Sequence, residues 1–314
     1  LADNKKKYRQ VFDRYETTYI YAELSFYNKW FDKDFWEADI ELRCFSLIKS
    51  RKEVCNLSFR RRISKYDQLV FIREGWGNKK EGSFWKKGTY YWEAWVDGEK
   101  IATKYFYVEE AGQHEDDGTN PYVELVSLKL FEGPFDEVEQ TERTYYTSFE
   151  GEETRYIFAE VVLRNKCLQS NWQCELFIKF HNEARELKGQ LVRLVPVRRE
   201  DDKFTIIAGW GSNVKGSWWD GLYTCEVVFM DELLGMMSFY VEDEFEEGIG
   251  QITLPHLSDP VILAGEETET RTFDELMQDL DHLIGLKEVK RKVREHAQYI
   301  QFLHLRKDRG IEEK

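Results

Sequence analysis

The residue types that most often carry chemistry are present in this chain, but their spacing fits neither a catalytic site nor a metal site. The six histidines fall in no H-x-x-x-H arrangement and the five cysteines in no C-x-x-C pair, so we predict no metal site. The sequence contains neither a G-x-S-x-G nucleophile context nor a G-x-x-x-x-G-K-[ST] phosphate-binding loop. The acidic stretch Glu242–Glu247 is typical of solvated charge. We therefore expect no catalytic residues and no bound cofactor within these 314 residues.

Composition and charge narrow the class of protein. Hydrophobic residues make up 42% and aromatic residues 15% of the chain, which is typical of packed globular structure. No apolar run approaches the roughly 20 residues that a membrane-spanning helix needs, so we expect no membrane partner. Residues 122–248 hold 13 Lys and Arg against 25 Asp and Glu, a net charge of −12. Such an acidic region disfavours nucleic-acid binding, because phosphate contacts need a basic face.

The cysteines are odd in number, which is not the pattern of a disulfide framework. They are Cys44, Cys55, Cys167, Cys174 and Cys225. Reduced thiols in a cytoplasmic protein fit this pattern better.

One phrase occurs twice, 134 residues apart. Gly75-Trp76-Gly77 is repeated as Gly209-Trp210-Gly211, and the match extends in both directions. The segment "YIYAELSFYNK" from Tyr19 corresponds to "YIFAEVVLRNK" from Tyr156, and each copy closes with "FYVE". Further pairs are Trp36 with Trp172, Trp85 with Trp219, Tyr90 with Tyr223, and Glu93 with Glu226. So many matches in one order indicate a duplicated domain.

Each copy is built from short segments in which apolar and polar residues alternate, as in Tyr19–Phe26 and Ile40–Leu47. A period of two is typical of half-buried strands, and Asp97-Gly98 predicts a hairpin turn between two such segments. We predict a mainly β protein with two tandem antiparallel β-sandwiches followed by a helical segment. The predicted ranges are 1–110 and 122–248 for the sandwiches, 111–121 and 249–272 for the linkers, and 273–314 for the helical segment.

The late strand of each copy resembles the corresponding corner of immunoglobulin-like domains. In "DGLYTC" the tyrosine, Tyr223, stands where such domains bond a tyrosine hydroxyl to the preceding turn, and Tyr90 holds this place in the first copy. Trp36 and Trp172 stand where such domains bury a tryptophan, so we expect both to be buried at equivalent places. The immunoglobulin disulfide is missing from both copies. The resemblance implies an immunoglobulin-like topology and no immune function.

A role in folding alone explains why the phrase is repeated. We interpret its glycines as sites of sharp chain reversal and its tryptophans as core volume. The first copy also carries a basic stretch: Lys49, Arg51, Lys52, Arg60, Arg61, Arg62 and Lys65. This stretch fits an edge strand that charge keeps soluble, or a surface that docks an acidic partner such as the second domain.

The two copies begin differently. The segment "YVELVSLKLFEG" from Tyr122 opens the second copy, and nothing equivalent precedes Tyr8 in the first. We therefore expect the first sandwich to be truncated at its opening strand.

The last 40 residues change to a helical pattern. Thr272 and Glu275 form a capping box, and Leu276, Leu280 and Leu283 follow along one helical face. A longer amphipathic segment from about Lys287 ends at a good C-terminal signal, Gly310.

The stretch "ELMQDLDHLIGLKEVKRKVREHAQYIQFLHLRKDRGI" resembles the opening of the ATPase module of AAA+ proteins. It is most similar to the group of stage V sporulation protein K and red-type rubisco activase. The matching residues are Leu280, Asp281, Leu283, Ile284, Gly285, Leu286, Val289, Lys290, Arg309 and Gly310. The resemblance implies that Ile284, Gly285 and Leu286 lie beside the adenine of ATP. It also implies a parent protein that binds ATP and Mg and assembles as a homo-oligomeric ring.

These observations predict a non-catalytic recognition or regulatory module ahead of an ATPase motor that remodels proteins, with a protein as its partner. The alternative is a carbohydrate-binding tandem β-sandwich protein, because ten tryptophans could stack on sugar rings.

Overall fold

The segments with a two-residue period form strands, as expected for aromatic and β-branched residues on pleated surfaces. The computed structural model describes residues 8–30, 32–111, 119–135 and 138–263, and these ranges are nearly all β. The mainly β prediction is therefore confirmed. The predicted helical segment 273–314 lies outside the described residues.

The described part of the first repeat contains seven strands in two sheets. The strands are β1 Val11–Asp13, β2 Tyr19–Tyr27, β3 Phe35–Ser46, β4 Lys52–Ser64, β5 Leu69–Gly77, β6 Gly88–Val96 and β7 Glu99–Glu109. Five of them form one sheet in the order β1-β7-β6-β3-β4, and β2 and β5 form the other. The core lies between the two sheets. Ile20 and Ile72 from the smaller sheet join one buried cluster with Ile40 and Leu42 from the larger.

Ten strands follow among the described residues from 119 to 263, and the last of them, β17, lies in the range 249–272 that was predicted to be a linker. The strands are β8 Val123–Gly133, β9 Tyr146–Glu150, β10 Tyr156–Asn165, β11 Trp172–Asn182, β12 Leu187–Val197, β13 Lys203–Gly211, β14 Gly221–Phe229, β15 Glu232–Glu242, β16 Glu246–Glu247 and β17 Ile252–Thr253. The larger sheet has the order β12-β11-β14-β15-β9-β16 with β17 paired to β15, and the smaller sheet has the order β13-β10-β8.

The two repeats share one pattern of strand pairing. β3 lies between β4 and β6 as β11 lies between β12 and β14, and β2 pairs with β5 as β10 pairs with β13. The prediction of wholly antiparallel sandwiches is wrong in one detail. Short strand β1 runs parallel to β7 at the edge of its sheet, and short strand β9 runs parallel to β15 and lies between β15 and β16.

Several local predictions are confirmed. Asp97 and Gly98 have φ angles of 50° and 79° and turn β6 into β7. The Tyr90 hydroxyl donates to the Lys86 carbonyl at 2.9 Å, and the Tyr223 hydroxyl to the Trp219 carbonyl at 3.0 Å. In both repeats a tyrosine therefore bonds its strand to the turn before it.

The basic stretch centres on β4, which lies at the edge of the five-stranded sheet. Arg60 donates to Asp39 at 2.8 Å, Lys65 donates to Asp34 at 2.7 Å, and the Arg62 guanidinium lies 3.7 Å from the Phe35 ring centroid. This agrees with an edge strand that charge keeps soluble.

Two tryptophan predictions need correction. Trp36 and Trp172 do hold equivalent places, since each indole N–H donates at 3.1 Å to an asparagine, Asn28 or Asn165. Trp172 is buried, but Trp36 is only half-buried. Trp172 packs against Tyr122, the residue before β8, at 5.5 Å between ring centroids, and also against Phe204 and Phe229. The ring contact of Trp36 is with Trp30, which is itself exposed.

The other correction concerns Trp219, which was paired with Trp85. Trp85 is buried and donates to the Thr18 carbonyl at 3.3 Å, whereas Trp219 is exposed. Trp218 takes the equivalent place, because it is buried and donates to the Arg155 carbonyl at 3.1 Å. The first repeat has one more residue than the second between Ser83 and this tryptophan.

The glycines that open the repeated phrase lie inside strands and not at chain reversals. A Cβ atom on Gly75 would stand 2.5 Å from the Tyr21 ring, and one on Gly209 would stand 2.4 Å from the Phe158 ring. In each repeat an aromatic ring on the neighbouring strand therefore lies flat over the glycine, which explains why both copies keep it.

The two sandwiches are joined by carboxylates that accept main-chain hydrogen bonds across their junction. Glu175 Oε2 on β11 accepts from the N–H groups of Gln10 and Val11 at 2.6 and 3.0 Å. Glu109 Oε1 on β7 accepts from the Gln173 N–H at 3.0 Å. Both carboxylates are buried, so each repeat supplies an acceptor that the other repeat needs.

Candidate recognition site

The residues expected beside a nucleotide, Ile284, Gly285 and Leu286, lie outside the described residues. Within the described ranges, no group of three or more His, Cys, Asp or Glu residues could hold a metal ion. The same ranges contain no helix long and apolar enough to cross a membrane. The stretch Glu242–Glu247 is largely exposed, as a solvated acidic segment should be.

The clearest difference between the repeats is the outer edge of β2. In the second repeat, β10 is paired on both sides, with β13 and with β8, and the β8 pairing extends from Tyr156 to Asn165. In the first repeat, β5 is the only strand that pairs with β2 among the described residues. The main-chain groups along the other side of β2 therefore face no strand there, which makes this side a template for strand addition.

The face of the smaller sheet that points away from the core differs in the same way. In the first repeat this face carries aromatic side chains that are exposed, including Tyr21 at 53% and Phe71 at 59%. Tyr19, Tyr27 and Leu69 are exposed beside them. Together these five residues form what we call the aromatic face. Large exposed apolar clusters of this kind mark interaction surfaces.

In the second repeat the equivalent face is partly covered, and Tyr156 and Phe158 are half-buried. Phe158, which corresponds to Tyr21, stacks on Phe131 of β8 with 5.1 Å between ring centroids. Tyr156, which corresponds to Tyr19, contacts Phe135 just after β8 at 5.6 Å. β8 and the residues just after it therefore bury part of this face.

A glutamate at equivalent positions of β10 and β2 also differs in its surroundings between the two repeats. Glu160 on β10 is buried and accepts from the Arg143 guanidinium at 2.6 Å and from the Tyr145 hydroxyl at 3.1 Å. Burial, helped by the Glu160 charge, raises the pKa of Tyr145 to about 12. The equivalent Glu23 on β2 is half-buried and accepts from the Tyr8 hydroxyl at 2.7 Å. The segment that covers β10 thus supplies an arginine for this carboxylate.

The predicted truncation of the first sandwich concerns residues before Tyr8, which lie outside the described residues. Sequence reasoning did not predict the aromatic face. The available signal was the alternation of Tyr19, Tyr21 and Tyr27 on one side of a strand whose other side is aliphatic.

Comparisons with known proteins add no family. No family model and no curated protein matches the chain. Among solved structures, a glycosyl hydrolase family 2 member from Bacteroides cellulosilyticus is 11% identical, with 71% of this chain and 28% of that chain covered and a TM-score of 0.27. Red sea bream transglutaminase is 8% identical, with 76% and 31% covered and a TM-score of 0.26. The calcium-binding domain CBD12 of CALX1.1 is 8% identical, with 72% and 76% covered and a TM-score of 0.23.

The matched region spans less than a third of the length of the first two of these proteins. TM-scores at this level carry no argument about fold or function. The description of this chain as a tandem β-sandwich protein therefore rests on its own strands and cores.

Proposed function

We propose that this chain is a protein-recognition module that binds a partner along the open edge of β2 and the aromatic face beside it. The observation that carries the proposal is the contrast between β2 and β10. The same strand is enclosed in one repeat and has a free side, among the described residues, in the other.

The energetics favour an added strand at this edge. Pairing with the free side of β2 would supply main-chain hydrogen bonds in a fixed register, and alternate side chains would add specificity. Aromatic side chains bury about 150 to 250 Å² each, so covering Tyr21 and Phe71 alone would remove substantial apolar surface from water.

We further propose that this module belongs to an AAA+ ATPase that remodels proteins in the cytoplasm. The support is the resemblance of residues 273–314 to the opening of such a module, with Ile284, Gly285 and Leu286 beside the adenine. ATP and Mg would then bind residues beyond those seen here, in a homo-oligomeric ring. A protein extended beyond Lys314 should bind Mg-ATP, and an extension without a Walker A loop would contradict this part of the proposal.

We assign the sandwiches to the immunoglobulin-like class of topology. The support is the pair of tyrosine-to-turn hydrogen bonds of Tyr90 and Tyr223, together with the paired tryptophan–asparagine contacts.

The recognition proposal can be tested with a defined probe, the synthetic peptide VELVSLKLFEG. This is the sequence of β8, which already fits the equivalent edge in the second repeat. We expect the full chain to bind it, measured by fluorescence anisotropy of the labelled peptide. A control peptide with Leu125, Leu128 and Leu130 replaced by Asp should not bind, because these are the side chains that β8 buries.

A matched pair of variants locates the binding surface. Tyr21→Lys should weaken peptide binding about fivefold, since one aromatic pair contributes about 1 kcal/mol. Tyr240→Lys changes a tyrosine of nearly equal exposure on β15, 50% against 53%, and should leave binding unchanged. Equal affinity of both variants, or no binding by the wild-type chain, would refute the proposal.

Glycan binding remains a second candidate because of one residue. Trp219 is 81% exposed at the turn before β14, where an indole could stack on a sugar ring. Specific binding on a glycan array that Trp219→Ala abolishes would favour this function over the first.

A further inference from the structure

Two cysteines of the first repeat face each other across paired strands. Cys44 on β3 is the register partner of Cys55 on β4, and both side chains belong to the buried core. Directly opposed residues on antiparallel strands have Cα atoms about 4.5 to 5.5 Å apart. A disulfide spans Cα separations of about 4.4 to 6.8 Å, so this pair can be joined without moving either strand far.

None of the other three cysteines has such a partner. Cys174 lies opposite Val195, and Cys225 lies opposite Phe180 and Met237. Cys167 precedes β11, and burial raises the pKa of its thiol to about 11. These three thiols are therefore buried in the ordinary way, as small apolar side chains.

The second repeat shows that the fold does not require sulfur at this place. Phe180 lies opposite Gly189 at the corresponding position, and a β-bulge follows Phe180 just as one follows Cys44. Packing there is achieved by one large side chain against a glycine. Packing alone therefore does not explain why the first repeat has two facing thiols at this place.

We propose that Cys44 and Cys55 are a reversible dithiol–disulfide site, oxidised by a low-molecular-weight disulfide such as oxidised glutathione. Cys55 lies on the edge strand β4, next to the bulge that leaves Val54 without a register partner on β3. Edge strands and bulges open locally at lower cost than central strands, which gives the oxidant access.

The roles of the two thiols follow from their positions. Cys55 is 7% exposed on β4, whereas Cys44 is fully enclosed on β3. The hydrogen bond with Cys44 lowers the pKa of Cys55, while the same bond and burial raise the pKa of Cys44. Cys55 is therefore the attacking sulfur and Cys44 the resolving sulfur.

The reaction balances as a thiol–disulfide exchange. The Cys55 thiolate attacks one sulfur of oxidised glutathione, the glutathione S–S bond breaks, and one glutathione thiolate leaves and takes up the Cys55 proton. Cys44 then loses its proton and attacks the Cys55 sulfur, and the second glutathione leaves as a thiol. Two protein thiols are oxidised and one glutathione disulfide is reduced to two thiols. The new bond would hold the edge strand β4, with its basic stretch, to β3.

The test uses the full chain equilibrated in glutathione buffers from reducing to oxidising. After acid quenching, denaturation and alkylation, mass spectrometry counts the free thiols. We expect the count to fall from five to three, with the peptides that contain Cys44 and Cys55 linked. This measurement on the wild-type chain does not depend on any variant folding.

Variants then separate the two steps. In the Cys44→Ala variant the exchange should stop with one glutathione bound to Cys55, because the resolving thiol is absent. Cys55→Ala should leave Cys44 unmodified, and Cys167→Ala is the control that should still form the 44–55 link. The proposal is overturned if all five thiols stay free in oxidising buffer, if the link joins other cysteines, or if wild-type Cys55 accumulates glutathione without losing it.

Discussion

The two repeats differ most where β2 and β10 meet their neighbours. β10 lies between two strands, and the aromatic side chains on its outer face, Tyr156 and Phe158, are half-buried. They contact Phe131 of β8 and Phe135 just after it. β2 has one paired strand among the described residues, and the equivalent side chains, Tyr19 and Tyr21, are exposed. The outer face of this strand is therefore half-buried in the second sandwich and exposed in the first.

The largest loss of stability should come from removing the ring of β8 that packs beside β10. Phe131 is buried and stacks on Phe158, so Phe131→Ala should lower the free energy of unfolding by about 3 kcal/mol or more. The matched change Tyr21→Ala in the first repeat removes an exposed ring and should cost less than about 1 kcal/mol. Urea denaturation of both variants measures the difference, and equal losses would contradict it.

Replacing the asparagine that bonds each tryptophan should give a smaller difference in stability between the repeats. Asn165→Ala would leave the buried Trp172 N–H without its acceptor, at a cost of about 1 to 3 kcal/mol. Asn28→Ala should cost less, because the half-buried Trp36 can bond water instead. A larger loss of stability for Asn28→Ala than for Asn165→Ala in thermal unfolding would show that burial of the tryptophan does not determine which substitution costs more.

The two tyrosine-to-turn bonds should behave alike. Tyr90→Phe and Tyr223→Phe each remove one hydroxyl that donates to a backbone carbonyl, and each should cost about 1 kcal/mol. Chemical denaturation of the two variants tests this equivalence. Losses that differ by more than about 1 kcal/mol would mean that the two corners are not the same structure.

The smallest effect is a pH dependence at the junction of the sandwiches. Burial raises the pKa of Glu109 above its ordinary 4.5, against the opposing charge of Lys87 at 3.3 Å. The folded chain therefore binds this proton more tightly than the unfolded chain. Its contribution to stability is greatest below about pH 4.5 and is lost as the pH rises through the folded pKa.

Glu109→Gln does not titrate, so it should remove this part of the decline while its amide oxygen still accepts from the Gln173 N–H. The measurement is the free energy of unfolding from pH 4.5 to 7 for the variant and the wild type. A variant that declines as steeply as the wild type would assign the pH dependence to another group.

The sequence predicts the fold well where its signals are local. Asp97-Gly98, the tyrosines of the corners and the repeat itself depend on short-range patterns, and each has its expected structure. The half-burial of Trp36 could not be read in this way, because it depends on which rings pack against the tryptophan. Trp219 was misplaced by one residue because two adjacent tryptophans fit the pattern equally well, and only packing distinguishes them.

The candidate site could not be predicted in detail from the sequence. A comparison of the two copies shows only that "YVELVSLKLFEG" matches no segment of the first copy. The aromatic face and the facing pair of Cys44 and Cys55 depend on strand register, and the number of residues in each bulge and turn sets that register.

The central claim is that β2, which among the described residues pairs with β5 alone, accepts a strand along its other side. Amide hydrogen exchange of the full chain, with and without the peptide VELVSLKLFEG, tests it most directly. The account predicts fast exchange for alternate amides of β2 and slow exchange for β10 in the free chain, and slowed exchange along β2 alone when the peptide binds. Equal protection of β2 and β10 before peptide is added, or no change in β2 when the peptide is bound, would contradict it.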